Sequence, residues 1–216
     1  MTARPADFSL NSQPVSATYP VCKRCADVAV ATILLIVGAP VLALIAFLVW
    51  RHDRGPVFFV QRRVGRDGKE FDFPKFRSMV VDADSLKSSL AGSNEANGPI
   101  FKIREDPRIT PVGKHLRRLS LDELPQLWCV LKGEMSLVGP RPHLLSEIRA
   151  YPEYPLERLG VPPGLVCHRE VGGRSELDFE AWIASDLAYV RSRTLAGDVR
   201  IFLKAIPAVF LCRGAY

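Results

Sequence analysis

Val28–Trp50 reads VAVATILLIVGAPVLALIAFLVW. These 23 residues carry no charge. At ~1.5 Å per residue, a helix of that length spans the ~30 Å hydrocarbon core of a bilayer. A secretory signal does not fit, because the run follows a polar arm and no small-residue cleavage site comes after it. Pro40 lies near its middle, after Gly38 and Ala39. Proline removes one helical hydrogen bond and crowds the preceding turn, so a break is expected there. Both flanks are basic, with Lys23 and Arg24 before the run and Arg51 and Arg54 after it. The positive-inside tendency would hold both ends on the cytoplasmic side. A re-entrant helix–break–helix satisfies both observations, with each half about 17 Å long. A straight transmembrane anchor is the alternative.

Outward from this segment, the 216-residue chain divides into a polar arm (1–20), the membrane hairpin (21–54) and a main domain (55–216). Within the domain, Pro56–Met79 predicts a β-hairpin, with two apolar-aromatic runs flanking Asp67–Gly68. Helices are expected at Val81–Leu90, Val112–Leu119, Pro125–Lys132, Leu144–Ala150, Leu177–Arg191 and Asp198–Cys212, with a loop over Ala91–Pro99. Pro125 suits a first helical turn and Gly133 a C-terminal cap. A rival parse makes Ser120 the N-cap and Glu123 its capping-box partner. The final helix carries an apolar stripe that suits either the core or a membrane interface. The fold class is α+β and helix-rich, with a compact cytosolic domain and interfacial amphipathic helices.

The net charge is +6 and the pI about 9.2. An anionic partner follows, whether phosphorylated substrate or lipid headgroup. Nucleic acid is disfavoured, since no recognition motif is present and the basic residues adjoin a membrane segment. The five cysteines, Cys22, Cys25, Cys129, Cys167 and Cys212, are odd in number and scattered. That argues for a reducing compartment over a disulfide framework. Cys22 and Cys25 form a C-x-x-C without the second pair that zinc needs.

The densest chemistry lies in LSLDELPQL (Leu119–Leu127), between the basic GKHLRR (Gly113–Arg118) and GEMSLVGPRP (Gly133–Pro142). If Pro125 opens a helix, Asp122 and Glu123 lie at its N-terminus, where amides and dipole favour an ionised carboxylate. Such a carboxylate can attack phosphorus. Two adjacent anions also suit Mg²⁺. Arg117, Arg118 and Arg141, with Lys75 and Arg77 of KFRSM, supply phosphate-binding cations.

Together with QRRVG (Gln61–Gly65), DPRITPVG (Asp106–Gly113), PPGL (Pro162–Leu165), GGRS (Gly172–Ser175) and the terminal RGAY (Arg213–Tyr216), these blocks resemble the bacterial sugar transferases, the monotopic phosphoglycosyl transferases. The length resembles the short, catalytic-only exopolysaccharide members. The resemblance implies transfer of a sugar-1-phosphate from a UDP-sugar to polyprenyl (undecaprenyl) phosphate, with release of UMP. It further implies a monotopic protein of the bacterial inner membrane, with its catalytic domain facing the cytoplasm among membrane lipids. It makes Asp122 the nucleophile and Glu123 a holder of Mg²⁺. It gives Lys75, Arg117 and Arg141 contacts with substrate phosphates, to which KFRSM adds Arg77. Asp186, in SDLAYV, matches an acidic position near the site. The chain departs from the family at Cys167–Arg169 and Arg191–Val199, where the sugar or membrane docking would be set. A glycosyltransferase releasing UDP and a catalytically impaired membrane scaffold are the rival readings. The sugar is not specified, and homodimer formation stays open.

Overall fold

The computed structural model describes residues 18–95, 101, 103–151, 154–167 and 179–210, with side chains up to Pro207. The arm before Thr18, the GGRS and RGAY motifs, His168, Arg169 and Cys212 lie outside the described residues. Helix α1 (Tyr19–Asp53) is followed by the antiparallel strands β1 (Phe58–Val64) and β2 (Glu70–Phe76). Next come α2 (Pro111–Arg118), a 3-10 helix at Leu121–Gln126, α3 (Leu127–Lys132) and β3 (Ser136–Val138). The chain continues through α4 (Leu145–Arg149), a 3-10 turn at Leu156–Gly160 and β4 (Gly164–Val166), which pairs parallel to β3. It ends in α5 (Phe179–Ser192) and α6 (Leu195–Phe210). The architecture is α+β and helix-rich.

Helix α1 runs for 35 residues without interruption through Pro40, where a break was expected. Proline here lacks the donor to the Ile36 carbonyl, but the helix continues past it on the bonds of the flanking residues. Both ends of α1 pack on the same domain. Near its start, Ala31 joins a core with Phe71, Phe73, Leu127, Val130 and Leu137. Arg24 donates to the Val130 and Leu131 carbonyls at 2.5 and 2.7 Å, satisfying the C-terminal end of α3. Asp27 accepts from Ser136 Oγ and the Leu137 amide at 2.8 and 3.1 Å. Near its finish, Ile45 and Val49 pack with Phe76 and Leu116. Between these anchors Ile33, Ile36, Val37, Val41 and Leu44 are exposed, Val37 at 74%. The helix is long and apolar enough to cross a membrane.

The hairpin turn forms where Asp67–Gly68 predicts it, with both residues at positive φ (57° and 73°). On β2, alternation turns Phe71 and Phe73 inward, and Lys75 follows on the same face. The expected helix at Val81–Leu90 is replaced by turns and a short 3-10 piece at Ser85–Lys87, and a second such piece, Ala91–Ser93, lies in the segment expected to be a loop. Val80, Val81 and Leu86 are exposed there, so no apolar face is buried to sustain a longer helix. No disulfide joins the described cysteines Cys22, Cys25, Cys129 and Cys167.

Two backbones meet closely where β3 ends. A side chain on Gly164 would place its Cβ 2.1 Å from the Gly139 amide nitrogen, and one on Gly139 would meet the Pro162 carbonyl at 2.6 Å. Gly164→Ala is therefore expected to destabilise by about 3 kcal/mol or more, because rigid backbone must move. Thermal melts in detergent check this, and a wild-type Tm would refute the close approach.

Candidate functional site

The approach to Asp122 is unusual. Ser120 adopts a left-handed conformation (φ 53°) and reverses the chain after α2. The next six residues then form a 3-10 helix, with Pro125 inside it, and α3 starts only at Leu127. The helix expected to open at Pro125 thus begins four residues earlier and in a tighter form. Ser120 precedes it without a side-chain cap, so the capping box is absent as well. Gly133 does close α3 at φ 85°, as its position predicts. The tighter winding places Asp122 and Glu123 in the first turn, facing inward.

Glu123 is the hub of the charged cluster. Its Oε1 accepts from Lys75 Nζ at 2.6 Å and from an Arg141 guanidinium nitrogen at 2.6 Å. The second Arg141 nitrogen reaches Oε2 at 3.3 Å, a forked contact. Burial opposes its ionisation, but Arg141 and Lys75 outweigh that and hold the carboxyl below the usual carboxylate range. Burial pushes the Lys75 ammonium down, with Glu123 opposing. Asp122, 7% exposed, behaves in the opposite way. Burial pushes its carboxyl up, Lys75 opposes that, and the neighbouring Glu123 adds to it. Arg117, on the last turn of α2, is near enough to favour the ionised form of Asp122. Among the described residues, no donor is hydrogen-bonded to the Asp122 carboxylate.

The structure thus brings together Lys75, Arg117, Asp122, Glu123 and Arg141. It places Arg77 elsewhere. That guanidinium grips Asp53, at the end of α1, through two nitrogens at 2.5 Å each, and donates to the Pro56 carbonyl. Arg77→Ala is expected to release this end of α1 and cost about 1 kcal/mol. A lowered Tm with an unchanged turnover rate in the surviving fold is the expected pattern. A rate collapse at unchanged Tm would instead place Arg77 in the chemistry. Asp186 is 1% exposed and pairs with the buried Arg158.

Two cations that sequence reasoning passed over lie beside the cluster. Arg63 of QRRVG is half-buried, donates to Gln61 Oε1 at 2.6 and 3.0 Å, and approaches Glu147 at 3.9 Å. Burial, with repulsion from Arg141, pushes it down to about 10, which leaves it charged at neutral pH. Its position opposite Phe71 on the hairpin was the available signal. Arg158 had no such signal, because it lies in a short 3-10 turn before PPGL whose packing no local pattern encodes. With Arg158 paired to Asp186, Arg63, Lys75, Arg117 and Arg141 stand against Asp122 and Glu123, a surplus of positive charge that suits phosphate groups.

No described group of three or more His, Cys, Asp or Glu residues could hold a metal. Two carboxylates nevertheless fit Mg²⁺, which takes one or two from a protein and completes its shell with substrate phosphates and water. The uncommitted oxygens of Asp122 fit that role better than those of Glu123, which two cations already occupy.

Comparison with known proteins identifies the family. Residues 18–212 match the family described as bacterial sugar transferase. The chain is 41% identical over 200 residues to the galactosyl transferase CpsE of Streptococcus agalactiae, covering 92% of this chain and 44% of that protein. It is 39% identical over 200 residues to the exopolysaccharide production protein ExoY of Sinorhizobium fredii, covering 91% of this chain and 88% of that protein. The undecaprenyl-phosphate galactose phosphotransferase of Salmonella typhimurium is 40% identical over 202 residues, covering 90% of this chain and 41% of that protein. The chain therefore spans less than half the length of two of these relatives and nearly all of the third. With the family matched over residues 18–212, nearly the whole chain, the chain belongs to the bacterial sugar transferase family.

Proposed function

We propose that the chain transfers a sugar-1-phosphate from a UDP-sugar to undecaprenyl phosphate, in two steps through Asp122. The observation that carries this reading is the pairing of a buried, uncommitted Asp122 carboxylate with a cation cluster organised by Glu123. Relatives named as undecaprenyl-phosphate galactose and glucose phosphotransferases support the reaction class. In the first step an Asp122 oxygen bonds to the β-phosphorus of the UDP-sugar. The bond from that phosphorus to the bridging oxygen breaks, and UMP leaves with the bridging oxygen. In the second step a phosphate oxygen of the polyprenyl phosphate bonds to the same phosphorus, and the Asp122–phosphorus bond breaks. The product is a polyprenyl diphosphate sugar, and the carboxylate is regenerated.

Lys75, Arg117 and Arg141 stabilise the phosphoryl charge that develops in both steps. Glu123 holds Lys75 and Arg141 at fixed positions. Asp122 and Glu123 would hold Mg²⁺, which neutralises phosphate charge when bound.

The lipid substrate is reached through α1. Both ends of this helix are anchored to one domain, at Ala31 and at Val49, while its central apolar residues are exposed. That pattern supports a re-entrant or interfacial seat in the inner membrane over a span that would carry one end away from the domain. The basic flanks favour the cytoplasmic face. Release of UMP, measured across UDP-sugars in detergent extracts, tests the reaction. UDP as the nucleotide product would replace this reading with an ordinary glycosyl transfer.

A further inference from the structure

The segment carrying Arg141 reads Gly139-Pro140-Arg141-Pro142-His143. Two prolines remove two backbone donors, so a regular ladder cannot hold this stretch. Beyond the Gly139 amide, which donates to the Val166 carbonyl at 3.1 Å, it is held by its carbonyls. The Pro140 carbonyl accepts from the Gly164 amide at 2.8 Å, and the His143 carbonyl from the Val64 amide at 2.9 Å. The two carbonyls between them are taken by guanidinium groups. Arg158 donates to the Arg141 carbonyl at 2.5 Å, and Arg63 donates to the Pro142 carbonyl at 2.9 Å.

Arg158 is itself fixed on its other sides. Its Nε and one terminal nitrogen donate to Asp186 Oδ2 at 2.8 and 2.5 Å, and the other terminal nitrogen donates to the Tyr154 hydroxyl at 2.6 Å. Arg158 and Asp186 are 2% and 1% exposed. A buried ion pair costs desolvation and is weak evidence for stability. A planar fork with several donors can, however, grip a carboxylate, a hydroxyl and a carbonyl together, which a lysine cannot do.

We infer that Arg158, aligned by Asp186, is a positioning residue that fixes the Arg141 backbone so that the Arg141 guanidinium meets Glu123 and the substrate phosphates. Asp186 then acts through Arg158 and touches no substrate. This rests on the transfer reaction proposed above.

The test is a double-substitution cycle on the full-length protein in detergent, reading initial UMP release with Tm measured in parallel. Arg158→Lys keeps the charge beside Asp186 but gives up the simultaneous carbonyl contact. It is expected to lower the rate about 100-fold, the scale of an ångström-level misplacement. In an Arg141→Ala background the same substitution is expected to cost less than about 3-fold, because the group being positioned is already gone. A wild-type rate for Arg158→Lys, or an undiminished loss in the Arg141→Ala background, would overturn the inference. A lowered Tm with unchanged rate would make the pair merely structural and overturn it too.

Hydrogen exchange over residues 139–144 provides an arm independent of turnover. Exchange should quicken in Arg158→Lys and stay at the wild-type level in Arg141→Ala, and unchanged exchange in Arg158→Lys would overturn the clamp. If the wild-type protein releases no UMP from any UDP-sugar, the reaction reading fails, while the exchange arm still decides the clamp.

Discussion

Asp122→Asn is expected to lower transfer by roughly 10⁴-fold or more, the scale seen when one member of a catalytic unit is removed. It should do so without unfolding the protein. The amide is nearly isosteric and cannot form the bond to phosphorus. The stability readout separates loss of chemistry from loss of fold. Burial raises the Asp122 carboxyl above its unfolded value. A raised group contributes stability that is fully present below the unfolded pKa and is lost as pH rises through the folded pKa. The wild-type protein therefore forfeits that contribution at neutral pH, whereas asparagine, which does not titrate, keeps none of this dependence. With divalent ions chelated, Asp122→Asn should match the wild-type Tm in acid and equal or exceed it at neutral pH. An Asp122→Asn protein clearly less stable than wild type at neutral pH would mean that the ionised carboxylate serves the fold.

Glu123→Gln carries the opposite expectation for stability. The Glu123 carboxylate is held below the usual range by Arg141 and Lys75. A depressed group contributes stability above the unfolded pKa, lost only as pH falls through the folded one. Removing its charge leaves two largely buried cations, Lys75 and Arg141, without their shared partner. Breaking such a pair costs about 3 kcal/mol, or a fall in Tm of roughly 10 °C at neutral pH. The deficit should shrink in acid, below the ordinary carboxylate range, as wild-type Glu123 is protonated. Transfer should fall about 100-fold, because both cations lose their set positions. Melts and rates over a pH series check both. A Glu123→Gln protein of wild-type stability at neutral pH would contradict the hub role.

The contrast between these two neighbours was only half legible in the sequence. Their type and their company of arginines pointed to phosphate chemistry. Their environments did not follow from spacing, because they depend on which strand and loop cover them. Lys75 arrives by β-alternation after Phe71 and Phe73, a pattern that can be read locally. Arg141 arrives through a carbonyl clamp built from Arg63, Arg158 and the Val64 and Gly164 amides, at sequence separations that no local pattern encodes.

Other elements divide along the same line. The hairpin was readable because Asp67–Gly68 fixes its turn through backbone conformation alone. Helix α2 was readable as Val112–Leu119, and the structure opens it at Pro111, with Thr110 capping it by accepting from the Gly113 amide at 2.9 Å. The 3-10 helix at Leu121–Gln126 was not readable, since its tighter winding follows from the left-handed Ser120 and the packing of β2 against it. Arg77 illustrates the limit of motif reasoning. Its neighbour Lys75 enters the site, but two residues on, beyond the end of β2, Arg77 meets Asp53 of α1 instead. Pro40 lies within a long apolar helix whose assignment continues past it and which is anchored at both ends, a tertiary context that the local signal does not contain.

The central claim is that Asp122 forms a covalent bond to the sugar-phosphate. Intact-protein mass after incubation with a UDP-sugar alone, without lipid acceptor, tests it most directly. The account predicts a mass increase equal to one sugar-phosphate in the wild-type protein, discharged by polyprenyl phosphate and absent in Asp122→Asn. An adduct that persists in Asp122→Asn, or turnover to UMP by the Asp122→Asn protein at the wild-type rate, would contradict it.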